Sequence, residues 1–202
     1  MKTKIERLLY GGRNPASKCH IVNIIDTEYI YIADYANYNN GNVIITSNKP
    51  EISAVTLDNS LSRIEVYYDA FLNNAFKISR SKCESQCECV LFPSEMKEEN
   101  WILFIETKYT DNRNNALRYP LQATDQIGKT ALFFRNKGII SSDKIVIGII
   151  SFPKIAGPFD NMYWTTDSSA LLKKTEYARV HNIHIEISNT VTLESPHELT
   201  IP

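Results

Sequence analysis

Trp101-Ile-Leu-Phe-Ile-Glu-Thr-Lys108 is the stretch on which the reading of this chain turns. Its apolar run is shorter than an ordinary helix and would be apolar on both faces of a strand, the pattern of a strand covered on both sides. The run closes on Glu106 and Lys108. Residues two apart project from the same face of a strand, so the carboxylate and the ammonium point together. Charged groups at the mouth of a buried strand are tolerated in two situations. They can pair as a strand-end salt bridge, or they can hold a metal ion and an anionic substrate.

Downstream, Pro120 suits a first helical position and Gly138 suits the residue just past a helix end, which predicts a helix of about five turns between them. Lys144-Ile-Val-Ile-Gly-Ile-Ile-Ser-Phe152 then reads as a second buried strand. Strand, helix, strand is a crossover unit, expected to be parallel and right-handed. Upstream, Cys87-Glu-Cys-Val-Leu-Phe92 is a short strand that ends at Pro93 and carries Glu88 at its start. If this strand pairs with the one at 101, Glu88 and Glu106 converge and repel. A divalent cation relieves such repulsion, and Mg²⁺ accepts one or two carboxylate oxygens, a carbonyl and waters.

Residues 60–79 carry helical periodicity. Leu61, Ile64, Tyr67, Tyr68, Phe71, Leu72, Ala75 and Ile78 share one broad arc at 100° per residue, with Asn59 or Ser60 as cap. Glu65 falls inside that arc, a costly place for an acid unless something pairs with it. Ahead of this helix, residues 20–33 predict two strands or one hairpin, and short strands follow near 43–47 and 52–57 after an Asn/Tyr/Gly loop at 35–42. The last fifty residues offer a helix near 167–180 and strands at 182–187 and 190–193. Gln122, Gln126 and Lys129 lie on the polar side of the 120–137 helix, a side open to solvent or to a substrate groove.

An acid opening one strand, Glu88, followed by E-x-K closing the next, Glu106-Thr-Lys108, resembles the signature of the PD-(D/E)xK, or restriction-endonuclease-like, nuclease superfamily. Gln126-Ile127 resembles the glutamine-plus-aliphatic motif of several branches, Ile147-Gly-Ile-Ile-Ser-Phe152 the core strand after it, and Glu65 the N-terminal helical glutamate. The likeness spans roughly residues 60–152. The chain has Glu88 where aspartate is commoner and lacks Pro-Asp. The family pattern also has a strand between the first helix and that acid, for which residues 79–86 leave little room.

The resemblance implies an α/β fold with a restriction-endonuclease-like core, a mixed central sheet flanked by helices, and an N-terminal β-rich extension. The whole chain then reads as one domain, with a β-rich part at 1–58, the core at 59–152 and a C-terminal helix and strands at 153–202. It implies metal-dependent phosphodiester hydrolysis, with DNA as the default polymer and RNA also compatible. Glu88, Glu106 and the Thr107 carbonyl would hold Mg²⁺ or Mn²⁺. Lys108 would orient water or stabilise charge on phosphate, Glu65 would serve a second ion or a water, and Gln126 would position Lys108 or the nucleic acid. Relatives of this fold often act as homodimers.

Composition bounds these expectations. The 202 residues are 43% hydrophobic and 22% charged, ordinary for a globular chain. A net charge of −1 argues against holding nucleic acid through a diffuse positive field, though not against a local basic groove. Arg113, Arg118, Lys129, Arg135 and Lys137 outnumber Asp111, Asp125 and Asp143 between Lys108 and Lys144. No apolar run approaches the roughly 18 to 20 residues of a membrane helix, and the charged start lacks the apolar segment of a leader, so a cytoplasmic location is expected. Cys83, Cys87 and Cys89, with Cys19 or His20, offer an alternative: a zinc-stabilised interaction module. Their spacing is not a usual zinc form, and reduced cysteines packed in a core are the simpler reading. A further alternative is a nuclease-like fold used only for binding or assembly.

Overall fold

A computed structural model describes residues 1–10, 19–35, 42–72, 75–76, 83–95, 97–98 and 100–202. In chain order its first elements are α1 (Lys2–Tyr10), β1 (His20–Ile25), β2 (Tyr29–Asp34), β3 (Val43–Thr46), β4 (Val55–Asp58), β5 (Val66–Phe71), β6 (Cys89–Pro93) and β7 (Leu103–Thr107). There follow α2 (Arg113–Ala116), α3 (Pro120–Asn136), β8 (Val146–Ser151), α4 (Met162–Thr165), α5 (Ser168–His181), β9 (Ile183–Ile187), β10 (Thr190–Ser195) and β11 (Glu198–Thr200). The fold is mixed α/β, with two mixed sheets.

The larger sheet runs β1-β5-β6-β7-β8-β9. The pairs β1–β5, β5–β6 and β6–β7 are antiparallel, whereas β7, β8 and β9 are mutually parallel. Between β7 and β8 lies α3, the crossover that the Pro120 and Gly138 signals predict. Pro120 is its first residue, and Gly138, at φ +65°, sits in the left-handed region just past its end. Buried Ala123, Ile127, Ala131 and Phe134 form the inner face of α3. The Phe134 ring stands edge-on to Phe104 of β7, centroids 5.5 Å apart, and tilts against Phe71 of β5. Fully burying each such ring contributes roughly 2 to 3 kcal/mol, which fixes the helix over the middle of the sheet.

The helix expected over 60–79 is not there. Leu61 is exposed, and residues 66–71 form β5, every residue of it buried between β1 and β6. The remainder of that predicted helix at 73–74 and 77–79 lies outside the described residues. A strand covered on both faces loses its period of two, and the aromatic run Val66-Tyr-Tyr-Asp-Ala-Phe71 then mimics a helical arc. The β-branched and aromatic content of that segment favoured a strand. β5 also supplies a strand before the Glu88 strand, for which residues 79–86 left little room.

Strands β1 and β2 do not form a hairpin with each other. β1 becomes an edge of the larger sheet, while β2, β3 and β4 join β10 and β11 in a second sheet ordered β11-β10-β4-β2-β3. The chain's two ends therefore meet in one sheet, β4 pairing with β10 in parallel. Its buried residues Ile30, Ile32, Val55, Leu57, Val191 and Leu193 belong to the same apolar core as the larger sheet. Trp101 ties the two together, its indole N–H donating to Ser195 O at 2.9 Å. Most of the 35–42 loop, at 36–41, lies outside the described residues. Among the described residues no helix is long and apolar enough to cross a membrane.

Candidate functional site

Parallel strands β7 and β8 end side by side, Thr107 facing Ser151, and Lys108 N–H donates to Ser151 O at 2.8 Å as the chain leaves β7. At this edge Glu106 is the last charged residue inside the strand, with 1% of its surface exposed. It is paid for only in part. Lys108 Nζ lies 2.7 Å from Glu106 Oε1, an ion pair that opposes the effect of burial on the carboxyl.

Gln126 fixes the lysine. Its Oε1 accepts from Lys108 Nζ at 2.8 Å while its Nε2 donates to Gln86 O at 2.8 Å. The amide thus spans from the segment before β6 to the end of β7, and α3 delivers it there because its apolar face is pinned by Phe134 and Ile127. The Tyr119 ring, one residue before α3, lies 5.9 Å from Lys108 Nζ.

Glu88 enters immediately before β6. Its N–H donates to Ile105 O at 2.9 Å and its carbonyl accepts from Phe71 N, so its backbone is held between β5 and β7. Ile105 is also the residue that Cys89 faces, so Glu88 and Cys89 together oppose one residue of β7 and the ladder ends there in an irregular step. That step turns the half-buried Glu88 into the same cavity as Glu106 and Lys108. The cavity has a volume of about 320 Å³ and is also lined by Thr107, Tyr109, Gln122 and Asp34. Of the residues singled out from sequence, Glu88, Glu106, Thr107, Lys108, Gln122 and Gln126 are brought together.

Glu65 is not. It lies just before β5, exposed, where its carboxylate accepts from Ser94 Oγ, and it lines a different cavity with Pro93, Asn100 and His197. Six residues of extended chain separate Ser94 from Glu88, roughly 20 Å, so Glu65 stands at the far end of β6 from the acids. Its apparent place on a helix's apolar side vanishes with the helix. Lys129 turns away as well, pairing with Asp125 at 2.5 Å.

Asp34 is the residue that sequence reasoning missed. It is the last residue of β2, in the second sheet, and 3% exposed. A signal was present: Ile30-Tyr-Ile-Ala-Asp34 is an apolar run closed by an acid, the same pattern as Trp101 to Glu106. Tyr109 and Tyr119 were likewise not anticipated as lining residues.

The acids disturb one another. Burial pushes the Glu106 carboxyl up to about 7, against the pull of the Lys108 ammonium, with Asp34 adding to the rise. Glu88 is raised well above the usual carboxylate range, first by burial, then by Glu106 and Asp34, with Lys108 opposing. Carboxylates in such surroundings either hold protons or hold a cation.

The donors here are all oxygen, the chemistry of a hard cation such as Mg²⁺ or Mn²⁺. Glu106, buried in the cavity that Glu88 also lines, fits a ligand of such an ion, with Glu88 as its partner. Among the described residues, no three His, Cys, Asp or Glu side chains converge into a ready-made metal cluster. Water would therefore complete the shell, as Mg²⁺ sites commonly require. Cys19, Cys83, Cys87 and Cys89 are free thiols. Cys87 donates to Cys89 O at 3.6 Å, and burial raises both thiols well above the ordinary range.

Comparison with family models, curated proteins and solved structures finds no match for this chain. The functional argument therefore rests on the cavity itself.

Proposed function

We propose that this protein is a metal-dependent phosphodiesterase of nucleic acid, a PD-(D/E)xK-like nuclease with DNA as the default polymer. The observation that carries the reading is one cavity at the ends of β6 and β7 that gathers Glu88, Glu106, Lys108 and Gln126. The strand order supports it: β5, β6 and β7 antiparallel in succession, then α3 and the parallel β8. The resemblance drawn from the sequence leads to the same order, with an acid opening one strand, E-x-K closing the next, and a helix and strand beyond.

Glu88, Glu106 and the Thr107 carbonyl would hold Mg²⁺ or Mn²⁺. When bound, such an ion polarises a phosphate and lowers the pKa of water beside it. The chain's own residues do the rest. Lys108 places a positive charge where negative charge develops on the phosphate, and Gln126 holds that charge in position before substrate arrives. Tyr109 and Tyr119 at the cavity edge offer faces for a base or sugar, with Lys154 Nζ 5.9 Å from the Tyr109 ring as a cation for a neighbouring phosphate.

The use of this fold for binding alone is less well supported. Glu88, Glu106, Lys108 and Gln126 are all present and mutually arranged, and a site kept only for binding has no need of that set. Cleavage of single- and double-stranded DNA and RNA with Mn²⁺ or Mg²⁺, comparing wild type with Lys108→Ala, tests the proposal. Metal-dependent cutting that the variant loses supports it and identifies the polymer. No cutting of any of the four substrates by the wild type overturns it in favour of binding or assembly.

A further inference from the structure

The groups assigned to chemistry sit below the surface. Glu106 is 1% exposed, and the Lys108 side chain 14%. Both line the cavity of about 320 Å³, whose other walls come from Gln122 and Gln126 of α3 and from Asp34 of the second sheet. A phosphate meets them only by entering that space.

Duplex DNA carries its phosphates on the outside of a rod that stays stiff over about 150 base pairs. To bring one of them to Lys108, the rod would have to bend sharply into a space lined by two sheets and a helix. A single strand has no such stiffness, and its bases show their faces.

Aromatic rings stand where those faces would lie. Tyr109 and Tyr119 are the two rings among the lining residues, both half-buried. The Tyr119 ring is 5.9 Å from Lys108 Nζ, so a base stacked on it brings its own phosphate toward the ammonium. A base inside a duplex has both faces covered by its neighbours in the stack and gives a tyrosine nothing to stack on.

Charge points the same way. A protein that grips a duplex neutralises phosphates along it with lysines and arginines. Three of the cations between Lys108 and Lys144 already have other partners. Arg113 donates to Asp160 at 3.0 Å, Lys129 Nζ lies 2.5 Å from Asp125, and Arg135 donates to the carbonyls of His181 and Lys144. Arg118, exposed and directly before Tyr119 in the chain, forms no ion pair among the described residues. Lys108 inside the cavity and Arg118 beside its tyrosine make a short track, suited to one backbone.

We infer that the substrate is a single strand. Single-stranded nucleic acid, DNA by default, enters the cavity with a base beside the scissile phosphate stacked on Tyr119. The inference rests on the nuclease reading of the cavity and names the form of polymer that it takes. Duplex is refused for its stiffness, whatever its sequence.

Strands of DNA and of RNA are offered to the full chain with Mn²⁺ in three forms: alone, in a blunt duplex, and in a duplex with an unpaired tail. The strand alone, and the unpaired tail, should be cut faster than the blunt duplex by about 10-fold or more, the cost of bending a duplex. Tyr119→Leu should raise KM for the single strand by about 5- to 100-fold, the worth of one base stacked on a ring, with kcat little changed. Tyr119→Phe, which keeps the ring, should retain the wild-type KM. A blunt duplex cut at more than about a tenth of the single-strand rate overturns the inference and leaves the nuclease reading standing. A KM raised by less than about 5-fold in Tyr119→Leu, or raised equally in Tyr119→Phe, also overturns it. No cutting of any form by the wild type overturns the nuclease reading and this inference together.

Discussion

Glu106→Gln should change how stability depends on pH more than it changes stability itself. In the unfolded chain the Glu106 carboxyl titrates near its ordinary 4.5, and in the fold burial pushes it up to about 7. Below pH 4.5 both states hold the proton and the group contributes nothing. Between 4.5 and 7 the unfolded chain has released the proton and the folded chain has not, so stability falls as pH rises. Above 7 the loss is complete. The interval from 4.5 to 7, at about 1.4 kcal/mol per pH unit, gives roughly 3 kcal/mol.

For a chain of this size that loss corresponds to about 6 to 12 °C in melting temperature. The neighbouring Glu88 shifts in the same direction and titrates together with Glu106, so the measured curve belongs to the pair. The assay is urea unfolding in EDTA at pH 5, 6, 7 and 8. Wild type should lose stability across the series while Glu106→Gln stays flatter by about 2 to 3 kcal/mol. Adding Mn²⁺ at pH 8 should restore the wild type and leave the variant unmoved. Parallel profiles for the two proteins in EDTA would refute the reasoning, since they would mean that Glu106 ionises in the fold as it does in water.

Three other substitutions test the supports of the site. Gln126→Leu removes both the acceptor for Lys108 and the donor to Gln86 O, so nucleic-acid cleavage should fall by about 10- to 100-fold while far-ultraviolet circular dichroism stays unchanged. Gly128→Ala places a methyl group 2.0 Å from Tyr177 Cζ, where α3 and α5 touch. It should cost about 1 to 3 kcal/mol in urea unfolding, and Tyr177→Leu in the same chain should recover part of that loss. His20→Leu strands the buried Asp69, whose carboxylate oxygens lie 3.0 and 3.1 Å from His20 Nδ1, and should cost about 3 kcal/mol at neutral pH by the same measurement.

The parts of the fold that were legible in the sequence are those whose signals are local. Pro120 and Gly138 bracket α3 because one lacks the N–H that a first helical turn leaves unused and the other takes a φ that side chains resist. The strand ending in Glu106 and Lys108 was visible for the same reason, since apolar residues on both faces followed by a charged pair leave few other conformations. Glu88, Gln126 and Lys108 could be picked out as candidates from their order along the chain.

What the sequence could not determine depends on neighbours distant along it. Residues 66–71 read as a helix because a strand buried on both faces carries no alternation, and only β1 and β6 on either side make it a strand. Glu65 lost its place with that helix and was left at the far end of β6 from the acids. Asp34 gained one because β2 pairs with β3 and β4 rather than with β1, which carries an acid from the first fifth of the chain to the ends of β6 and β7. Periodicity and capping are properties of a few consecutive residues. Which carboxylates share a cavity depends on the order in which strands are laid side by side, and that order is set by burial of the whole core.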